Sequence, residues 1–92
     1  MATLTSVVGE EIIKMIQYKN LGGNSPIKDY EIGPDYIIVK FNKPTKQGKD
    51  TYKYTFGSTG QSNIERMKAL AMQGSGLSSY IIENKVKAER SW

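Results

Sequence analysis

A chain of 92 residues with 13 lysines and arginines against 9 acidic residues, net charge +4, has room for one domain with a small core. It contains no cysteine and no histidine, which removes disulfides, thiolate metal sites, the commonest general base and the commonest zinc ligand. Histidine-dependent triads, zinc hydrolases and His-based nucleases are excluded, and the expectation is a non-enzymatic module with no cofactor and no metal.

Residues 1–5 lack the basic segment and apolar stretch of a signal peptide. No apolar run approaches the ~20 residues that a membrane helix needs. A cytoplasmic protein with no membrane partner is expected, in the cytosol of whichever cell makes it. Over residues 6–20, Val8, Ile12, Met15 and Ile16 fall on one helical stripe. Thr5 or Ser6 supplies an N-cap oxygen, and Glu10 and Glu11 lie near the positive end of the predicted helix. Ile13 and Tyr18 fall off the stripe, either covering a second contact or exposed. The run Gly22-Gly23-Asn24-Ser25-Pro26 stops this helix.

The period then changes. Residues 27–32 alternate, Gly33-Pro34-Asp35 makes a turn, and Tyr36-Ile37-Ile38-Val39-Lys40-Phe41 is β-branched and aromatic, a strong strand signal. Residues 42–50, with Pro44 and Gly48, read as a long hairpin loop. Residues 51–56 form another strand, with Tyr52, Tyr54 and Phe56 on one side. Together these predict a three-stranded antiparallel meander.

Gly57-Ser58-Thr59-Gly60 ends the sheet, and Ser62-Asn63-Ile64-Glu65 has the form of a capping box. Ile64, Met67, Leu70 and Ala71 give the apolar stripe of the helix that follows. Gly74-Ser75-Gly76 breaks it, and a last helix is predicted over 77–88 with Leu77, Ile81, Ile82 and Val86 on its apolar side. The fold class expected is α+β: an N-terminal helix, the meander and two C-terminal helices.

Charge is localised. Lys40, Lys43, Lys46, Lys49 and Lys53 face only Asp50 within residues 40–53, so this stretch carries the whole +4 and the rest of the chain is neutral. Such a stripe is the electrostatic footprint of a nucleic-acid-binding surface, or else a solvated loop kept soluble by lysine. Gly57 to Gly60 before a helix resembles a phosphate loop only weakly, since no lysine follows Gly60. Gly74, Ser75, Gly76, Ser78 and Ser79 open the last helix with small residues that leave its amides reachable; ordinary capping explains Gly74 and one serine. Tyr52 and Tyr54 fit either base stacking or a core facing the helices. Carboxylates do not cluster, and no metal-ligand spacing or nucleophile elbow is present.

The order of Ser25 and Ile27, the strand Ile37-Ile38-Val39-Lys40-Phe41, the Y-x-Y motif Tyr52-Lys53-Tyr54, Ala69 to Ala71 and the tail from Gly74 to Ile81 resembles the KTSC family. Members occur at the C-terminus of some lysyl-tRNA synthetases and as small stand-alone bacterial and phage proteins. The resemblance spans residues 25–86, and residues 1–24 have no counterpart in it. We therefore expect a single domain over 1–92, with a helical extension at 1–24 and a KTSC-like unit at 25–88. The resemblance implies the fold more than an activity; RNA binding is the activity suggested for the family. Two other readings are open: a protein-interaction or assembly module (homo-oligomer) docking through the N-terminal helix, and a phage-encoded inhibitor acting through Gly74 to Ser79.

Overall fold

The structure, a computed structural model, describes residues 15–92. Five antiparallel strands lie side by side in chain order: β1 (Ile16–Gln17), β2 (Ile27–Ile32), β3 (Tyr36–Phe41), β4 (Thr51–Thr55) and β5 (Arg90–Ser91). Three helices, α1 (Phe56–Thr59), α2 (Gln61–Gln73) and α3 (Leu77–Asn84), intervene between β4 and β5. The α+β class holds, but the meander has five strands rather than three.

The helix expected over residues 6–20 is corrected at its C-terminal end. Ile16 and Gln17 pair with Tyr30 and Asp29, and the Tyr18 amide donates to the Lys28 carbonyl at 2.9 Å. Tyr18 is buried, edge-on to Tyr30 with ring centroids 6.5 Å apart. Residues 16–18 satisfy a two-residue alternation as well as a helical stripe, and the ladder to β2 decides between them. Residues 6–14 of that expected helix lie outside the described residues.

Strand alternation separates the two faces of the sheet. Tyr30, Val39 and Tyr52 lie in one cross-strand row, and Ile32, Ile37 and Tyr54 in the next. These residues face the helices and form the core with Ile64, Met67, Leu70, Ala71 and Leu77. The opposite face carries Asp29, Glu31, Ile38, Lys40, Lys53 and Arg90 by register. Ile38 on this second face is fully buried, with Glu31 and Lys53 in register on either side. The β2–β3 turn needs glycine at position 33, because a Cβ there would collide with the Tyr36 ring.

Phe56 does not extend β4. Thr55 caps α1 instead: its hydroxyl accepts from the Ser58 amide, while the Ser58 hydroxyl accepts from the Thr55 amide, both at 3.1 Å. The capping box therefore falls at Thr55–Ser58 rather than at Ser62–Glu65. Gly57 to Gly60 becomes a turn of helix and its C-cap rather than a loop. α2 begins from Gly60, where φ is +99° and no side chain caps the helix. It buries Ile64, Met67, Leu70 and Ala71, the stripe expected from the sequence. Its C-cap Gly74 has φ +87° and lies against Lys19, so the turn requires both the left-handed backbone and the missing side chain.

α3 is shorter than the 77–88 expected. Lys85 adopts a left-handed conformation, φ +50°, and its amide turns back to the Ile82 carbonyl. The chain then crosses to β4, where the Glu89 amide donates to the Lys53 carbonyl at 2.7 Å. The core side of α3 is Leu77, Tyr80 and Ile81, while Ile82 is 70% exposed. The apolar side of α3 thus excludes Ile82.

Candidate functional site

The lysines divide between a sheet face and a hairpin tip. Lys40 and Lys53 share the face away from the helices, with Lys40 opposite Asp29 and Thr51, and Lys53 opposite Ile38 and Arg90. Lys43 and Lys46 are exposed in the β3–β4 connection, and Lys49 is half-buried at its return. Backbone bonds hold this connection: Phe41 N–H to Asp50 O and Thr45 N–H to Lys49 O at 2.8 Å, and Asn42 N–H to Pro26 O at 2.7 Å. Gly48, with φ +81°, closes the tip by donating to Thr45 O.

Two of the acids nearby accept hydrogen bonds from hydroxyls. The Tyr36 hydroxyl donates to Glu31 at 2.7 Å, and the Thr51 hydroxyl donates to Asp50 at 2.8 Å. No ion pair of Lys40, Lys43, Lys46 or Lys49 occurs among the described residues. Lys53 is placed differently, with its Nζ 4.7 Å from the centroid of the Tyr36 ring.

β5 adds two residues that sequence reasoning missed. Arg90 pairs with Lys53, and its guanidinium lies 4.7 Å from the Trp92 ring centroid. The Trp92 backbone exchanges hydrogen bonds with Thr51, N–H to O at 2.9 Å and O from N–H at 3.0 Å. A cation and an aromatic thereby join the root of the lysine hairpin. The only sequence signal for them is the alternation Arg-Ser-Trp, too short to register as a strand.

Tyr52 and Tyr54 lie on the helix-covered face. Tyr52 is half-buried, stacked on Tyr54 at 6.4 Å and edge-on to Phe41 at 5.7 Å. Tyr54 is buried, and burial, with a smaller contribution from the neighbouring Tyr52, pushes its hydroxyl pKa up to about 12.

Gly74 serves as the α2 cap. Ser75, Gly76, Ser78 and Ser79 line a cavity of about 260 Å3 together with Tyr18, Asn20 and Ser25. The loop facing them is fixed by Asn20, whose side chain accepts from the Ser25 amide at 3.0 Å. Among the described residues no group of three or more His, Cys, Asp or Glu could hold a metal, and no helix is long and apolar enough to cross a membrane. No protein-family model, no curated protein and no solved structure matches the chain.

Proposed function

We propose that this chain is a small non-enzymatic module that binds nucleic acid through the phosphate backbone. The observation that carries the reading is that Lys40, Lys43, Lys46 and Lys49 have no ion pair among the described residues and are presented from a hairpin held by its own backbone. Ammonium groups without a protein counter-ion are suited to replacing the cations condensed on a polyanion. Arg90 and Trp92 beside the hairpin root add a cation and a stacking surface of the kind that single strands use. The resemblance of residues 25–86 to the KTSC family supports the same reading and makes RNA the first ligand to test.

Point charges on a connection contact phosphates and not base edges, so unrelated sequences should bind alike. Engagement of three to five lysines gives a log–log slope of affinity against salt on the order of −2 to −4. Fluorescence anisotropy with two unrelated labelled oligonucleotides across a salt series measures both. A flat salt dependence, or no binding at low salt, overturns the reading.

A further inference from the structure

We propose that the cavity between residues 20–26 and the amino end of α3 binds a phosphate monoester. This inference does not rest on the lysine hairpin.

The cavity walls are rich in donors. α3 starts from Gly76, which has no side chain to cap it, and among the described residues the Leu77 amide alone of its first amides meets a side-chain oxygen, that of the Tyr18 hydroxyl. The Ser78 and Ser79 amides make no hydrogen bond within the described residues, whereas the Tyr80 amide is already bonded to the Gly76 carbonyl. A helix start with open amides attracts an anion through both hydrogen bonding and the helix dipole.

Tyr18 gives an independent indication. It is 2% exposed and lines the cavity. Its hydroxyl oxygen accepts from the Leu77 amide at 3.4 Å, and among the described residues this long bond is the only one it makes. The hydroxyl proton has no acceptor among the described residues, although a buried phenol ordinarily finds one. Among the described residues the hydroxyls of Ser78 and Ser79 also have no partner, and those of Ser25 and Ser75 act only as acceptors, from the Ile27 amide and the Gln73 side chain. Their protons are available to the same acceptor.

Among the described residues no carboxylate lines the cavity. The missing component is thus a group with several acceptor oxygens and negative charge. A phosphate monoester supplies three terminal oxygens, and about 260 Å3 has room for it with a few further heavy atoms. The same group is presented by a free small metabolite and by the 5′ end of a nucleic-acid strand.

The test is an amide NMR titration of the full chain in phosphate-free buffer, with chloride holding ionic strength constant. Inorganic phosphate should shift the Gly76, Leu77 and Ser78 amides saturably. Tyr18→Phe should weaken the affinity about tenfold, as expected for one hydrogen bond to a charged acceptor. Ser78→Ala, at a half-buried hydroxyl with no protein partner, should weaken it severalfold and serves even if Tyr18→Phe perturbs folding. Changing Lys43, Lys46 and Lys49 together to Gln should leave phosphate affinity within about twofold, so failure of the hairpin reading and failure of this one are distinguishable. A 5′-phosphorylated oligonucleotide that shifts these amides more tightly than its 5′-hydroxyl counterpart identifies a strand end as the source; equal behaviour of the two, with the phosphate shifts retained, identifies a free monoester. Absence of saturable shifts in the tens of millimolar, or shifts that neither Tyr18→Phe nor Ser78→Ala weakens, overturns the proposal.

Discussion

The amide of Asn42 donates to the carbonyl of Pro26 at 2.7 Å, so the root of the lysine hairpin and the rim of the serine-lined cavity share a single backbone hydrogen bond. The hairpin is held there, at Phe41–Asp50 and at Thr45–Lys49 entirely by main-chain groups. Its lysine side chains contribute nothing to that framework. Changing Lys43, Lys46 and Lys49 together to Gln should therefore shift stability by no more than about 0.5 kcal/mol per site. The same change should flatten the salt slope of nucleic-acid binding by roughly 2–3 units. Urea melts and a salt series on one preparation give both numbers, and binding unaffected by the change would place the contact on another face.

Leu77 and Ile82 share the apolar side expected of the last helix, yet one is fully buried and the other 70% exposed. Leu77→Ala should cost about 2–5 kcal/mol through lost burial and the cavity left behind. Ile82→Ala should stay within about 0.5 kcal/mol. Denaturant midpoints at unchanged m-value make the comparison; equal losses would mean that α3 docks through a different side.

Gly74 and Gly22 form a second contrast. Gly74 has φ +87°, and a Cβ there would lie 2.6 Å from the Lys19 Cβ, whereas at Gly22 nothing lies within 4 Å. Gly74→Ala should destabilise by about 1–2 kcal/mol from the left-handed backbone alone, and further from the collision. Gly22→Ala should be neutral or stabilising by up to about 1 kcal/mol. Thermal melts of the two variants read the sign of each effect directly.

Burial raises the Tyr54 hydroxyl from 10.0 to about 12, so between these values the folded chain keeps a proton that the unfolded chain gives up. The stabilisation is complete below pH ~10 and is lost as pH rises toward ~12, amounting to roughly 3 kcal/mol. Tyr54→Phe should remove this part of the alkaline loss, leaving a flatter stability curve than the parent between pH 10 and 11.5. Urea titrations of both proteins at matched pH isolate the difference from lysine deprotonation. Parallel curves would show that the hydroxyl is not the responsible group.

The central part of the fold is legible in the sequence because its signals are long. Residues 36–41 and 51–55 are runs of β-branched and aromatic residues, residues 27–32 are bounded by Pro26 and the Gly33 turn, and α2 repeats its stripe from Ile64 to Ala71. β1 and β5 are two residues each, too short for any period, and their ladders decide them. The capping box at Thr55–Ser58 was hidden because Ser62–Glu65 matches the sequence pattern better. In the site, the serines before and within α3 were visible as a cluster. The opposite wall was not: Tyr18, Asn20 and Ser25 come from a segment whose helical pattern concealed it, and only the packing brings them to α3. Arg90 and Trp92 reach the lysines through β5 alone.

The excursion through three helices leaves the sheet at β4 and returns to the same edge at β5. Closing that loop confines residues 56–89, far more chain than either hairpin of the central meander, and entropy rises with the length confined. A two-residue ladder, the flanking bonds of Glu89 and Trp92 and the Thr59 hydroxyl on the Lys87 carbonyl hold the return. The β5 segment is thus an independently opening unit at the margin of a firmer body. Trp92 is the sole tryptophan, which makes it a natural reporter: its fluorescence should change at lower denaturant than the far-ultraviolet dichroism of the helices.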